Sequence, residues 1–445
     1  VSSNARPILT AALAAATVAV LAACGPATGS SGSADSAAEA VDFSGVEPAT
    51  EITFWSNHPG GSIELEKELI AGFEEETGIS VELVTAGANY EEVAQKFQTA
   101  QTSGDVGDLV VLSDATWFPA YLNGSILPLD DVLEAADVDT STYQDTLLGD
   151  YLYEDDHYAV PYARSTPLFY YNKDHYAAAG LEDRAPETWE EAKEFSAAIA
   201  TAVPAATPFG YPAEDQYPAW TMSNLVWGFG GGWSEDWDLA TVSDENTVAA
   251  LEFAQASVDD GWAEVASGDP ATAFSSGSVS QVIASTGSLS GILDSATFEV
   301  GTGFLPGGPE TSDGVVPTGG AGVAVASASE PERQLAAAMF AAYLTNAENT
   351  AFFSAGTGYL PVQKDADMSA VYAEAPQFEV AVEQLERTRS QDFARVFLPG
   401  GDLEIAKSLQ AILTQDADVA GTLETLQASL QTNYDRDLKD DLETE

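Results

Sequence analysis

From residue 51 onward, apolar positions alternate between short runs and helical spacing. Residues 52–55 read as a strand. Leu65, Leu69, Ile70 and Phe73 then recur at helical spacing over 62–77, and Gly78 supplies a natural helix end. A strand is expected at 79–84, a helix at 91–102 with Val93 and Phe97 on one face, and a buried strand at 108–112. This βαβαβ order predicts a parallel sheet with helices on both faces. A second α/β unit opens beyond Tyr162, with a strand at 168–171 and a helix at 189–201 introduced by Pro186-Glu187-Thr188. Further helices are expected at 246–260, 330–344, 377–387, 403–413 and 419–438, with a strand at 322–326. There is no internal repeat. Ligands sit at the carboxyl ends of strands in such sheets. The loops after Trp55, Thr85, Leu112, Tyr162 and Ala284 are therefore the expected walls of a cleft.

The first 23 residues differ. They carry one charge, Arg6, and an Ala/Leu/Val-rich run over 8–23 that is short for a membrane span and suits a signal-peptide core. The run ends at Leu21-Ala22-Ala23-Cys24-Gly25, which resembles a bacterial lipobox, and Cys24 is the only cysteine of the chain. A lone cysteine excludes an intramolecular disulfide and a cysteine-rich metal site. Residues 25–46 are Ser/Ala/Gly/Pro-rich and read as a tether between a lipidated Cys24 and the folded part. At 445 residues, 45% hydrophobic, the chain is long enough that two lobes are the default expectation.

Charge narrows the partners. Fifteen Lys and Arg face 71 Asp and Glu, a formal net charge of −56. Nucleic acid is a poor partner, because its binding needs cations to neutralise phosphate. No D-x-[DN]-x-[DN]-G calcium loop is present, so the acidity reads as a solvated coat that keeps the protein soluble. Catalytic motifs are missing as well. His58, His157 and His175 lack ligand spacing and read as surface or loop residues. Gly287-Ser288-Leu289-Ser290-Gly291 has Leu where a nucleophile elbow needs Ser, and Gly319-Gly320-Ala321-Gly322 lacks nucleotide-fingerprint spacing. No metal, cofactor or catalytic residue is assigned, and the chain is read as a non-enzyme. Six aromatics do crowd one stretch: Tyr211, Tyr217, Trp220, Trp227, Phe229 and Trp233. Aromatic faces stack on sugars and on cationic groups, but for any one of these a core role comes first by about two to one.

Ser165-Thr166-Pro167-Leu168-Phe169-Tyr170-Tyr171-Asn172-Lys173-Asp174, then Ala179-Gly180-Leu181 and Pro186-Glu187-Thr188-Trp189, resembles the hallmark stretch of family 1 extracellular solute-binding proteins. Gly124-Ser125-Ile126-Leu127-Pro128-Leu129-Asp130 and Thr357-Gly358-Tyr359-Leu360-Pro361 resemble that family too, in order, over roughly 50–440. The resemblance implies a two-lobed periplasmic-binding-protein fold of class II, maltose-binding-protein-like, with a ligand cleft between lobes joined by crossing hinge segments. Expected boundaries are 50–162 plus 296–345 for lobe 1, and 163–295 plus 346–445 for lobe 2.

Within the family, the likeness is greatest to glycerol-3-phosphate and glycerophosphodiester binders. It implies that Tyr90 of Asn89-Tyr90-Glu91 faces the ligand and that Asp114 holds the glycerol hydroxyls. It likewise implies that Ser165, Ser285, the Gly320 backbone N–H and Tyr359 surround the phosphoryl group, with Tyr217 and Trp220 walling the outer end. The family also places an Arg before a Gly near the C-terminal end to clamp phosphate. Here an ungapped match puts Leu398 at that position, and Arg395 serves only if the loop is re-registered. With no guanidinium there, a neutral sugar becomes the better ligand. The implied function is an extracytoplasmic lipoprotein of an ABC importer, binding glycerol 3-phosphate or a glycerophosphodiester such as glycerophosphocholine. The alternative is a maltose- or trehalose-like oligosaccharide. A monomer that meets permease subunits, with its lipid as the only membrane contact, completes the expectation.

Overall fold

The computed structural model describes residues 41–104 and 106–442. Arg6, Cys24 and the expected leader and tether up to residue 40 lie outside the described residues.

Two five-stranded mixed sheets carry the fold. The first runs Ser80–Thr85, Glu51–Ser56, Leu109–Ser113, Gly319–Val325, Val160–Ser165 in spatial order. Its first three strands are parallel, as the βαβαβ pattern predicts, and Gly319–Val325 is antiparallel to both of its neighbours. The second sheet runs Val300–Gly303, Pro167–Asn172, Gln281–Ser285, Phe209–Tyr211, Ala263–Val265. Leu109–Ser113, Val160–Ser165 and Pro167–Asn172 are buried along their whole length, which is why residues 109–112 read as a continuous apolar run.

The helices obey local chemistry. Gly78 ends Ile63–Thr77 in the left-handed conformation, φ 75°. Asn89 caps Tyr90–Ala100 by accepting from the Glu92 N–H, and Thr188 caps Trp189–Ala202 by accepting from the Glu191 N–H. Helix Pro331–Leu344 covers the first sheet. Its Phe340 packs against Phe54 and Phe73 at centroid distances of 5.6 and 4.9 Å, and each such buried ring contributes roughly 1.5–3 kcal/mol. The C-terminal helix Val419–Asp437 buries Leu423, Leu426 and Leu430 on one face.

Two expectations need correction. Val300–Gly303 pairs with Pro167–Asn172 and so belongs to the second sheet, although 296–345 was assigned to lobe 1. The helix expected at 377–387 stops at Glu383 and continues as a 3₁₀ turn, Gln384–Arg387. The Gln384 side chain, fully buried, donates to Thr166 Oγ1 at 2.9 Å and to the Pro167 carbonyl at 2.6 Å, and it accepts from the Leu305 N–H. It thereby pins the Ser165-Thr166-Pro167 crossing from one sheet to the other.

Asp108 anchors helix Pro331–Leu344 to the first sheet. It is 2% exposed and accepts from the Thr53 N–H, Ser329 Oγ and Arg333 Nε at 2.7–2.8 Å. Replacing Asp108 with Ala strands the Thr53 donor, and the expected loss is about 3 kcal/mol. A lower urea midpoint at unchanged m-value checks this.

Candidate functional site: an interlobe cavity

The crossing between sheets builds the floor of a cavity. Ser165 ends the first sheet opposite Gly319, Arg164 pairs with Gly320, and the Arg164 carbonyl accepts from the Leu360 N–H at 2.7 Å. Three distant segments therefore place Ser165, Gly320 and Tyr359 side by side. Gly320 must be glycine: its φ is +89°, and a Cβ would lie 2.1 Å from the Ala163 carbonyl oxygen. Its own carbonyl accepts from the Asp114 N–H at 3.0 Å.

The cavity measures ≈ 210 Å³ and is lined by Tyr90, Asp114, Ser165, Tyr217, Trp220, Ser285, Gly320, Tyr359 and Arg395 among others. All nine residues expected from the sequence meet there. Tyr90, at the first turn of its helix, shares a 3.2 Å hydroxyl contact with Tyr359 and lies 6.5 Å, centroid to centroid, from Tyr217. Burial first, then the Tyr359 hydroxyl, pushes the Tyr90 phenol well above its ordinary range, so it stays a neutral donor. Trp220 is fixed by its indole N–H on the Thr318 carbonyl at 2.9 Å. Tyr217 stands 37% exposed at the mouth, in the left-handed region at φ 54° just before Pro218. Ser285 accepts from the Gly287 N–H at 3.0 Å. Tyr211, Trp227 and Trp233 are core, and Phe229 is packed against it. The aromatic stretch thus divides as expected between core and wall.

Among the described residues, Arg395 is the only cation lining the cavity. It arrives on the short helix Phe393–Val396, and Leu398 is a core residue, 3% exposed, that lines only an outer chamber of ≈ 900 Å³. The guanidinium is 4% exposed and bonds Asp114, Gln391 and Asp402. Burial alone would lower its pKa, but the Asp114 and Asp402 charges lift it above the ordinary value, so it is always charged. Gln391 also donates to Asp114 at 2.8 Å. The segment is moored by Asp392, whose Oδ2 accepts from Trp227 Nε1 at 2.9 Å and the Trp233 N–H at 2.7 Å.

Some lining residues carried no readable signal: Gly60, Asp269 and Asp402. Asp402 follows Gly400-Gly401 at a helix start, which marks a turn but not a site. The histidines lie elsewhere. His58 is a loop residue, yet it is drawn inward, with Nδ1 2.5 Å from buried Glu66 and Nε2 2.7 Å from Thr85 Oγ1. His157 meets Asp130 and His175 meets Ser280. Among the described residues no cluster of His, Cys, Asp and Glu could hold a metal, and no helix is long and apolar enough to cross a membrane.

Two α/β lobes enclosing a polar, aromatic-walled cavity define a clamp-like receptor for a small solute. A profile of the family described as bacterial extracellular solute-binding protein matches residues 68–380, and the chain belongs to that family. The glycerophosphocholine complex of UgpB from Mycobacterium tuberculosis is 44% identical, with a TM-score of 0.83, covering 87% of this chain and 99% of that one. The sn-glycerol-3-phosphate-binding periplasmic protein UgpB of Escherichia coli K12 is 27% identical over 361 residues, covering 76% of this chain and 81% of that protein. The acarbose-binding GacH receptor of Streptomyces glaucescens shares the fold, with a TM-score of 0.75 at 21% identity, covering 87% of this chain and 99% of that one.

Tyr359 is set between two glycines. A Cβ on Gly287 would lie 2.6 Å from its ring and one on Gly60 3.0 Å from it. Gly287→Ala is expected to cost about 1–3 kcal/mol by overpacking. In a Tyr359→Ala background the same change should cost almost nothing, which a double-mutant cycle of denaturation midpoints reads directly.

Proposed function

We propose that this chain is the extracytoplasmic receptor of an ABC importer and captures a glycerophosphodiester, such as glycerophosphocholine, without altering it. The observation that carries this reading is the convergence of nine residues from separate segments on one cavity holding a single guanidinium, Arg395. Asp114 takes the glycerol hydroxyls beside Tyr90. Ser165, Ser285, the Gly320 N–H and Tyr359 surround the phosphoryl group, with Arg395 as its cation. Trp220 and Tyr217 wall the alcohol end, where aromatic faces suit a quaternary ammonium. The 44% identical relative, solved with glycerophosphocholine, points the same way.

The lobes of one chain complete the cavity, so the receptor acts as a monomer and presents its surface to permease subunits. The Leu21-Ala22-Ala23-Cys24-Gly25 string supports export and lipidation at Cys24, which would hold the receptor on the outer face of the cell membrane.

Titration calorimetry with a ligand panel tests the ligand. Glycerophosphocholine should bind, and Arg395→Gln should weaken it by about 100-fold, a loss on the order of 2–3 kcal/mol for a charge-assisted bond in a closed site. Recovery of glycerophosphocholine intact after incubation checks that no chemistry occurs. Heat from maltose or trehalose alone would sink the reading. The anchor is tested separately: Cys24→Ser should move the protein from the membrane fraction to the medium and abolish incorporation of labelled fatty acid.

A further inference from the structure

An arginine side chain has five N–H donors in a planar fork. In Arg395 the Nε–H goes to Gln391 Oε1 at 2.9 Å. Both Nη2 hydrogens are taken, by Asp114 Oδ2 and Gln391 Oε1. One Nη1 hydrogen goes to Asp402 Oδ1 at 2.8 Å. A single N–H, on Nη1, is left for a ligand. Asp402 holds the other Nη1 hydrogen, and with both Nη2 hydrogens already taken the guanidinium can offer a phosphoryl group one bond rather than two.

Charge acts in the same direction. The carboxylates of Glu91, Asp114, Asp269 and Asp402 line the cavity against the one guanidinium. A phosphomonoester brings about −1.5 to −2 charges at neutral pH and three terminal oxygens, whereas a phosphodiester brings one charge, which a single N–H can meet. Asp402 differs from Asp114 in its attachments. It lies in the first turn of helix Gly401–Thr414 with its side chain 22% exposed, and Arg395 is its side-chain partner. It is therefore tied to the guanidinium and to little else.

We propose that Asp402 is a specificity-determining residue: by occupying Nη1 of Arg395 it rations the guanidinium and selects phosphodiesters over phosphomonoesters. The inference rests on the reading of the cavity as a glycerophosphodiester site. Removing Asp402 frees the second Nη1 hydrogen for another phosphoryl oxygen and takes one negative charge from the wall.

The test compares sn-glycerol 3-phosphate with glycerophosphocholine by calorimetry, at fixed salt and pH, for the wild type, Asp402→Asn and Asp402→Ala. Asp402→Ala should improve the monoester relative to the diester by about tenfold, with Asp402→Asn between the two. Asp402→Glu should restore the wild-type preference, and adding Arg395→Gln to Asp402→Ala should erase the gain. An unchanged ratio, or a gain that survives Arg395→Gln, overturns the proposal. If the wild type binds no glycerophosphodiester, the ligand reading above fails, and methyl phosphate against dimethyl phosphate in a thermal-shift series still decides the role of Asp402. Stabilisation of Asp402→Ala by methyl phosphate, absent in the wild type, upholds it; no difference between the two proteins overturns it.

Discussion

A buried guanidinium is tolerable only when paired, because its desolvation costs several kcal/mol that a single imperfect contact does not offset. Arg395 meets that condition by drawing on both lobes. Asp114 reaches it from the end of a first-sheet strand, while Gln391 and Asp402 flank it on its own segment. The pair thus joins the lobes at the cavity itself. Asp392 fixes the segment against Trp227 and Trp233, and Phe397 packs on Phe118 at 4.8 Å, so the guanidinium has little freedom to turn elsewhere. Other polar groups of the cavity inherit their positions from this closure and from the crossing strands.

The crossing explains why so few residues suffice. A strand that leaves one sheet at Ser165 and enters another at Pro167 exposes its backbone polar groups in the middle of the molecule. They are satisfied by partners from afar: the Thr166 carbonyl accepts from the Thr286 N–H, the Thr166 N–H donates to Thr286 Oγ1, and the Pro167 carbonyl accepts from the Gln384 side chain. Those partners bring Ser285 and Gly287 to the same place. Backbone satisfaction and site assembly are one requirement here, since a buried peptide group without a partner is costly.

The fold was legible because its signals are local. Helical spacing over Leu65, Leu69, Ile70 and Phe73, the Gly78 end and the Asn89 and Thr188 caps all act within a few residues of where they are read. The two misreadings, the sheet of Val300–Gly303 and the early stop at Glu383, both arise from contacts with residues far along the chain. Among the site residues, Tyr90, Ser165, Gly320 and Tyr359 stood out because they belong to recognisable motifs. Asp269 and Asp402 are two among 71 carboxylates, and nothing local separates them from the solvated coat.

The question of the phosphate's cation shows the division most clearly. Sequence alone determined the two-lobed α/β architecture, the receptor class and the short set of polar and aromatic residues that could face a ligand, because periodicity, caps and motifs are properties of contiguous chain. It left open whether Leu398 or Arg395 occupied the cavity. Tertiary structure decided that: the turn after Val396 buries Leu398 in the apolar core and leaves Arg395 at the wall beside Asp114, 281 residues away. Which way a short helix presents its side chains depends on the apolar surface it packs against and on the charge that awaits the guanidinium, and both come from distant parts of the chain.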